Sequence, residues 1–132
     1  MADYQVDIVI VGAGVIGLSA ALALAPTKLN IVVLDAQPSH RPPPTQRALS
    51  DWAPRVTALT PASTKFLSEL GAWQAIWDGD RVGPYTDMVV WDSEGTGVVE
   101  FDAKSLSLDA LGYIVEAPIT TDALVNLANQ TA

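Results

Sequence analysis

Residues 6–35 read VDIVIVGAGVIGLSAALALAPTKLNIVVLD, and the order of side chains along this stretch decides the fold. Residues 6–11 (VDIVIV) are almost wholly apolar and β-branched, which predicts a central strand of a parallel sheet, covered on both faces. Gly12-Ala13-Gly14 breaks that run. Residues 15–25 are rich in Ala and Leu and predict a buried helix, which Pro26 prevents from continuing. Residues 30–35 (NIVVLD) repeat the apolar strand pattern, so strand, helix and strand form a βαβ unit with a right-handed crossover.

The turn carries the pattern Gly12-x-Gly14-x-x-Gly17, and Asp35 ends the second strand. Gly12 permits the sharp turn, Gly14 lets the backbone approach a pyrophosphate, and Gly17 lets the helix pack closely on the strand. The helix N-terminus offers free N–H groups and a positive dipole end to phosphates. Asp35 stands where an acid can accept ribose hydroxyls, which favours an unphosphorylated ribose over NADP. Ala13, Val15, Ile16 and Ala36 fill the same turn and strand end and complete the expected contact set. A βαβ unit with a tight turn and a surface Asp would explain Gly12 and Gly17, but less readily the whole ordered set. Dinucleotide binding follows from the context; NAD and FAD share the fingerprint, so the motif alone does not choose between them.

The bulk properties bound the partners. The chain has 132 residues, 49% of them apolar, which predicts one compact core. A formal charge of −8 opposes general binding to nucleic acid or to an acidic membrane. The absence of cysteine excludes disulfides, thiolate catalysis and Cys-ligated zinc, and no other metal site is expected. Residues 8–27 carry no charge and end near an A-x-A pattern, but the residues ahead of them hold Asp3 and Asp7 rather than Lys or Arg, and glycines interrupt the run. That pattern suits neither a secretory signal nor a membrane span, and the cytoplasm is the expected location.

Residues 36–54 turn proline-rich and predict a long loop, with the only histidine, His40, as a solvated member of it. Thr60-Pro61 is an N-cap followed by proline at the first helical position, with Ala62, Phe66, Leu67 and Leu70 on one face and Gly71 as the stop. Trp73, Ile76 and Trp77 extend it by a turn before Gly79 and Gly83 interrupt. Residues 86–92 and 97–101 flank Ser93-Glu94-Gly95-Thr96 and predict an antiparallel β-hairpin. Residues 113–117 predict another strand, and residues 121–130 a helix capped by Thr120 or Thr121. Trp73, Trp77, Trp91 and Tyr85 have spacings that suit packing rather than a stacking platform.

The later segments narrow the ligand. Ala21 and Leu24 in the first helix, the string Arg55-Val56-Thr57-Ala58-Leu59, then Pro61-Ala62-Ser63 and Leu67-x-x-Leu70-Gly71-Ala72-Trp73 resemble the ubiquinone-biosynthesis flavin monooxygenases. These are a branch of the class that includes para-hydroxybenzoate hydroxylase. Tyr85, Met88, Val90-Trp91-Asp92 and the run from Leu111 to Glu116 carry the resemblance in register along nearly the whole chain. It implies FAD as cofactor, with its pyrophosphate on Gly12, Gly14 and Gly17 and its adenosine ribose on Asp35. It makes Arg55 a candidate contact to the phosphate or ribityl region, with Arg47 a weaker one; the alternative for Arg55 is a surface pair with a carboxylate.

The implied fold class is α/β, a Rossmann-like FAD/NAD(P)-binding βαβ unit with an antiparallel β-hairpin excursion, in an incomplete domain. Residues 1–83 would be the N-terminal part of the FAD domain, 84–117 the excursion that begins the substrate domain, and 118–132 a helix returning to the FAD domain. In the whole enzyme of this class NAD(P)H reduces the flavin, and oxygen then hydroxylates an electron-rich ring, here a phenol or prenylated quinone precursor, with the enzyme at most peripheral to the membrane. The chain departs from the family in having Asp35 for the usual Glu and Ala117 for a common Asn. It also lacks the second flavin motif, a Gly-Asp-Ala-Ala-His-like string. An isolated chain of this kind is expected to be catalytically incompetent, with no catalytic residue of its own. It is also expected to expose apolar faces that invite homo-oligomers or domain swapping. A small NAD-binding module or sensor, or an interaction subunit that lost its cofactor, are the alternatives.

Overall fold

The computed structural model describes residues 5–37 and 52–131. In chain order, β1 (Ile8–Val11) runs through the glycine turn into α1 (Val15–Leu24) and returns as β2 (Ile31–Leu34). Pro26 sits in a single 3-10 turn, Ala25–Thr27, that finishes α1, so the proline ends the helix where its missing N–H requires. β1 and β2 pair in parallel, Ile8 opposite Ile31 and Val11 opposite Leu34.

β3 (Val56–Leu59), α2 (Pro61–Leu70) and α3 (Trp73–Trp77) follow. Next come β4 (Val82–Tyr85), β5 (Asp87–Trp91), β6 (Val98–Asp102), β7 (Gly112–Glu116) and α4 (Ala117–Thr131). β7 is the centre of an antiparallel sheet of order β3-β7-β4, and β5 and β6 form a separate hairpin. The core gathers one apolar residue from each helix and from two strands: Leu18 of α1, Leu59 of β3, Leu67 of α2, Ile76 of α3, Val115 of β7 and Leu124 of α4. The rings of Trp73 and Trp77 lie edge-on to Tyr113, with centroids 5.4 and 5.8 Å away; Trp73 is half-buried there, whereas Trp77 stays 45% exposed.

The ends of α2 behave as its sequence dictates. Thr60 Oγ1 accepts the Ser63 N–H at 3.2 Å, and Gly71 closes the helix at φ +89°, where a side chain would be strained. Thr60→Ala is therefore expected to cost about 1 kcal/mol, read as a lower urea midpoint at unchanged slope.

Four expectations need correction. β1 is not covered on both faces: Val9 is 50% and Val11 84% exposed, and among the described residues β1 pairs only with β2. α1 is likewise only partly covered, with Leu18 and Ser19 buried and Ile16 82% exposed. An apolar run states what must be covered and not whether its own segment supplies the cover. Third, α4 starts at Ala117 rather than beyond Thr120, because Pro118 fits a first helical turn; Thr121 Oγ1 bonds back to the Ala117 carbonyl at 3.1 Å instead of capping. Fourth, Trp91 is not packed but 69% exposed, on the hairpin. There Met88 faces Phe101 and Val90 faces Val99, which puts four apolar side chains on one side of a two-stranded ribbon.

Candidate cofactor site

The site begins where β1 stops. Gly12 takes φ +104°, a value that L side chains rarely adopt, and its N–H reaches the Leu34 carbonyl at 2.7 Å, extending the β1–β2 ladder into the turn. Gly14 is the N-cap of α1 in extended conformation with no side-chain cap, and no acid occupies the first helical turn. The amides of Val15, Ile16 and Gly17 thus belong to the first turn, which has no intrahelical acceptors for them.

The three glycines do different work. A Cβ on Gly12 or Gly14 would meet nothing within 4 Å, so the backbone is bare on the side a ligand would approach. A Cβ on Gly17 would lie 2.0 Å from the Gly12 carbonyl oxygen and 3.2 Å from Ile10 Cγ2, so Gly17 is where helix and strand touch. Asp35, exposed just past β2, accepts the Ala13 N–H through Oδ2 at 2.6 Å and the Gln37 N–H through Oδ1 at 2.8 Å. Its carboxylate is held at the mouth of the turn, where hydroxyl donors can reach it. Ala36 beside it is exposed, Val15 is half-buried and Ile16 points to solvent. A groove of about 1070 Å³ opens next to this corner, lined by Ala13, Asp35 and Gln37 and by the apolar side chains of Leu22, Val32 and Val125.

Bare backbone, unclaimed helix amides and a fixed acid on the adjacent strand suit a diphosphate joined to a ribose, and FAD and NAD both fit this description. Arg55 lies elsewhere, exposed before β3 on the other sheet, with its carbonyl accepting the Ala117 N–H at 3.0 Å. No carboxylate among the described residues pairs with it. Arg47 and His40 lie outside the described residues.

One cluster escaped the sequence reasoning. Glu116, 1% exposed at the end of β7, accepts from Arg81 Nε through Oε1 at 2.5 Å and from the Ala53 N–H through Oε2 at 2.6 Å. The Arg81 guanidinium carbon lies 4.1 Å above the Trp52 ring. The available signal was a lone acid closing the apolar run Tyr113-Ile114-Val115. Among the described residues no group of His, Asp and Glu could hold a metal ion, and no helix is long and apolar enough to cross a membrane.

Comparison with known proteins resolves the ambiguity of the turn. Residues 7–42 match the family model of FAD dependent oxidoreductases. The chain is 36% identical over 124 residues to 3-demethoxyubiquinol 3-hydroxylase of Escherichia coli, covering 94% of this chain and 30% of that protein. It is 35% identical over 120 residues to the ubiquinone biosynthesis monooxygenase COQ6 of Xenopus tropicalis, covering 89% of this chain and 25% of that one. Among solved structures, p-nitrophenol 4-monooxygenase PnpA of Pseudomonas putida superimposes with a TM-score of 0.66 at 20% identity, over 99% of this chain and 31% of that one. Aklavinone-11 hydroxylase, solved with FAD and aklavinone, gives 0.63 at 20% identity over 100% and 25%.

The chain thus matches the FAD dependent oxidoreductases over residues 7–42 and is similar, over nearly its whole length, to part of two larger hydroxylating enzymes. These two relatives are by name a demethoxyubiquinol hydroxylase and a ubiquinone biosynthesis monooxygenase, and the chain matches their N-terminal portion. It spans between a quarter and a third of their length.

Proposed function

We propose that this chain is the FAD-holding half-site of a hydroxylase that uses NAD(P)H and oxygen to hydroxylate a phenolic or prenylated ubiquinone precursor. The observation that carries the proposal is the pairing of a turn left bare at Gly12 and Gly14 with Asp35 fixed beside it. In this role the first-turn amides of α1 bind the pyrophosphate, Ala13, Val15 and Ile16 line it, and Asp35 with Ala36 receives the adenosine ribose. Arg55, and Arg47 more weakly, supply directional positive charge to a chain that is otherwise acidic. The bound flavin supplies the redox chemistry; the residues named here bind and orient it.

In this division of labour residues 1–83 and 118–132 belong to the FAD domain and 84–117 start the substrate domain. The protein would work in the cytoplasm, the whole enzyme at most at a membrane surface. The exposed apolar faces of β1 and the hairpin support association or domain swapping of an isolated chain.

The test is titration of the 132-residue chain with FAD and with NAD, followed by flavin fluorescence and equilibrium dialysis. FAD should bind in preference to NAD, and the chain alone should not oxidise NAD(P)H. Asp35→Ala should weaken FAD binding by roughly 10- to 100-fold, the value of a charged hydrogen bond. Preference for NAD would turn the assignment toward an NAD module. Binding of neither nucleotide by a folded chain would turn it toward an interaction subunit, and robust turnover would exclude a half-site.

A further inference from the structure

We propose that Glu116 and Arg81 form a positioning clamp that fixes residues 52–55, and through them holds Arg55 toward the nucleotide; the second half of this rests on the FAD assignment above.

The two oxygens of Glu116 serve two chain segments. Oε1 holds Arg81, the residue before β4, and Oε2 holds the amide of Ala53, ahead of β3. Arg81 in turn covers the ring of Trp52. Ala117, next after Glu116, donates its N–H to the Arg55 carbonyl. Between Ala53 and Arg55 stands Pro54, which has a fixed φ and no N–H to place. Trp52, Ala53 and Arg55 are therefore each gripped, by a stacked cation, a carboxylate and an amide, while the Arg55 side chain stays exposed.

Stability alone is a weak reason for such a pair, because a buried ion pair contributes little more than packed apolar side chains of the same volume. What it adds here is direction. One carboxylate fixes the backbone that carries Arg55, the arginine to which the proposed function gives a cofactor role. A backbone ordered in advance lowers the cost of ordering on binding.

Two measurements test the clamp. In the ligand-free chain, amide exchange followed by NMR should show Ala53 losing about tenfold protection or more in Glu116→Ala, and less in Glu116→Gln, which keeps an acceptor of the same shape. Val32 and Val33 in β2 should lose only what the global loss of stability takes from every amide, and less than Ala53. FAD titration of wild type, Glu116→Gln, Arg55→Ala and the double variant then forms a cycle. Glu116→Gln should weaken binding about tenfold in the wild-type background and leave it unchanged when Arg55 is already alanine. Unchanged protection at Ala53 in both Glu116 variants would overturn the clamp. Additive losses in the cycle would overturn its action through Arg55. Failure of the wild-type chain to take up FAD would overturn the FAD assignment and the role toward Arg55, with the exchange data still deciding whether residues 52–55 are clamped.

Discussion

Gly17→Ala is expected to destabilise the chain by about 3 kcal/mol, a fall of roughly 10 °C in Tm, whereas Gly14→Ala is expected to melt almost with wild type and yet lose FAD. The added methyl at position 17 would lie 2.0 Å from the Gly12 carbonyl oxygen, a backbone atom already fixed by the ladder that carries the Gly12 N–H to Leu34. Nothing at the end of a flexible side chain can move to relieve it, so α1 must lift from β1. At position 14 the backbone, at φ −79° and ψ −176°, suits alanine, and the methyl enters open space. That space is where the diphosphate would lie, and the loss there is steric and confined to binding. Thermal melts with parallel FAD titration separate the two outcomes. Equal stability losses at both positions would show that the turn matters only as structure.

The second large effect concerns the buried pair. Glu116→Leu takes this carboxylate from Arg81, whose side chain is 11% exposed in the native chain, and Arg81→Met takes this cation from Glu116, 1% exposed; each should cost about 3–5 kcal/mol. The double variant should be more stable than either single, by about 2 kcal/mol, because no charge is then stranded, although the Ala53 N–H still lacks its acceptor. Urea denaturation at low and at high salt measures this. The cost should persist in high salt, since a pair shielded from solvent is little screened. The exposed Lys65–Glu69 pair, 4.0 Å apart, provides the contrasting case and should contribute little in either condition. Small, additive losses from the two single variants would mean that Arg81 finds water when Glu116 is gone.

Local signals were legible in the sequence wherever one residue type has one use. Pro26 ended α1, Thr60 and Gly71 bounded α2, and the four residues 93–96 joined β5 to β6. β3 and β4 were not foreseen as strands. β4 contains Gly83 and Pro84, which read as a break, yet both strands are edges flanking β7, and an edge tolerates a proline that a central strand would not. The glycine turn and Asp35 were legible because their geometry is local to one βαβ unit. The Glu116–Arg81–Trp52 cluster was not, because it joins residues 29 and more positions apart whose partnership depends on how three strands stack in register. Arg55 was found by resemblance alone, since its own neighbours in sequence carry no ligand signature.

Among the described residues no backbone hydrogen bond links the β1–α1–β2 unit to the rest of the chain. The two parts meet through side chains such as Leu18 against the core that Leu67 and Leu124 share. Apolar contact has no direction of its own, so the fit of these side chains alone sets the angle between the two parts. The corner that would hold the phosphates and the segment that carries Arg55 are thus two separately hydrogen-bonded plates whose spacing is set by how these side chains interlock.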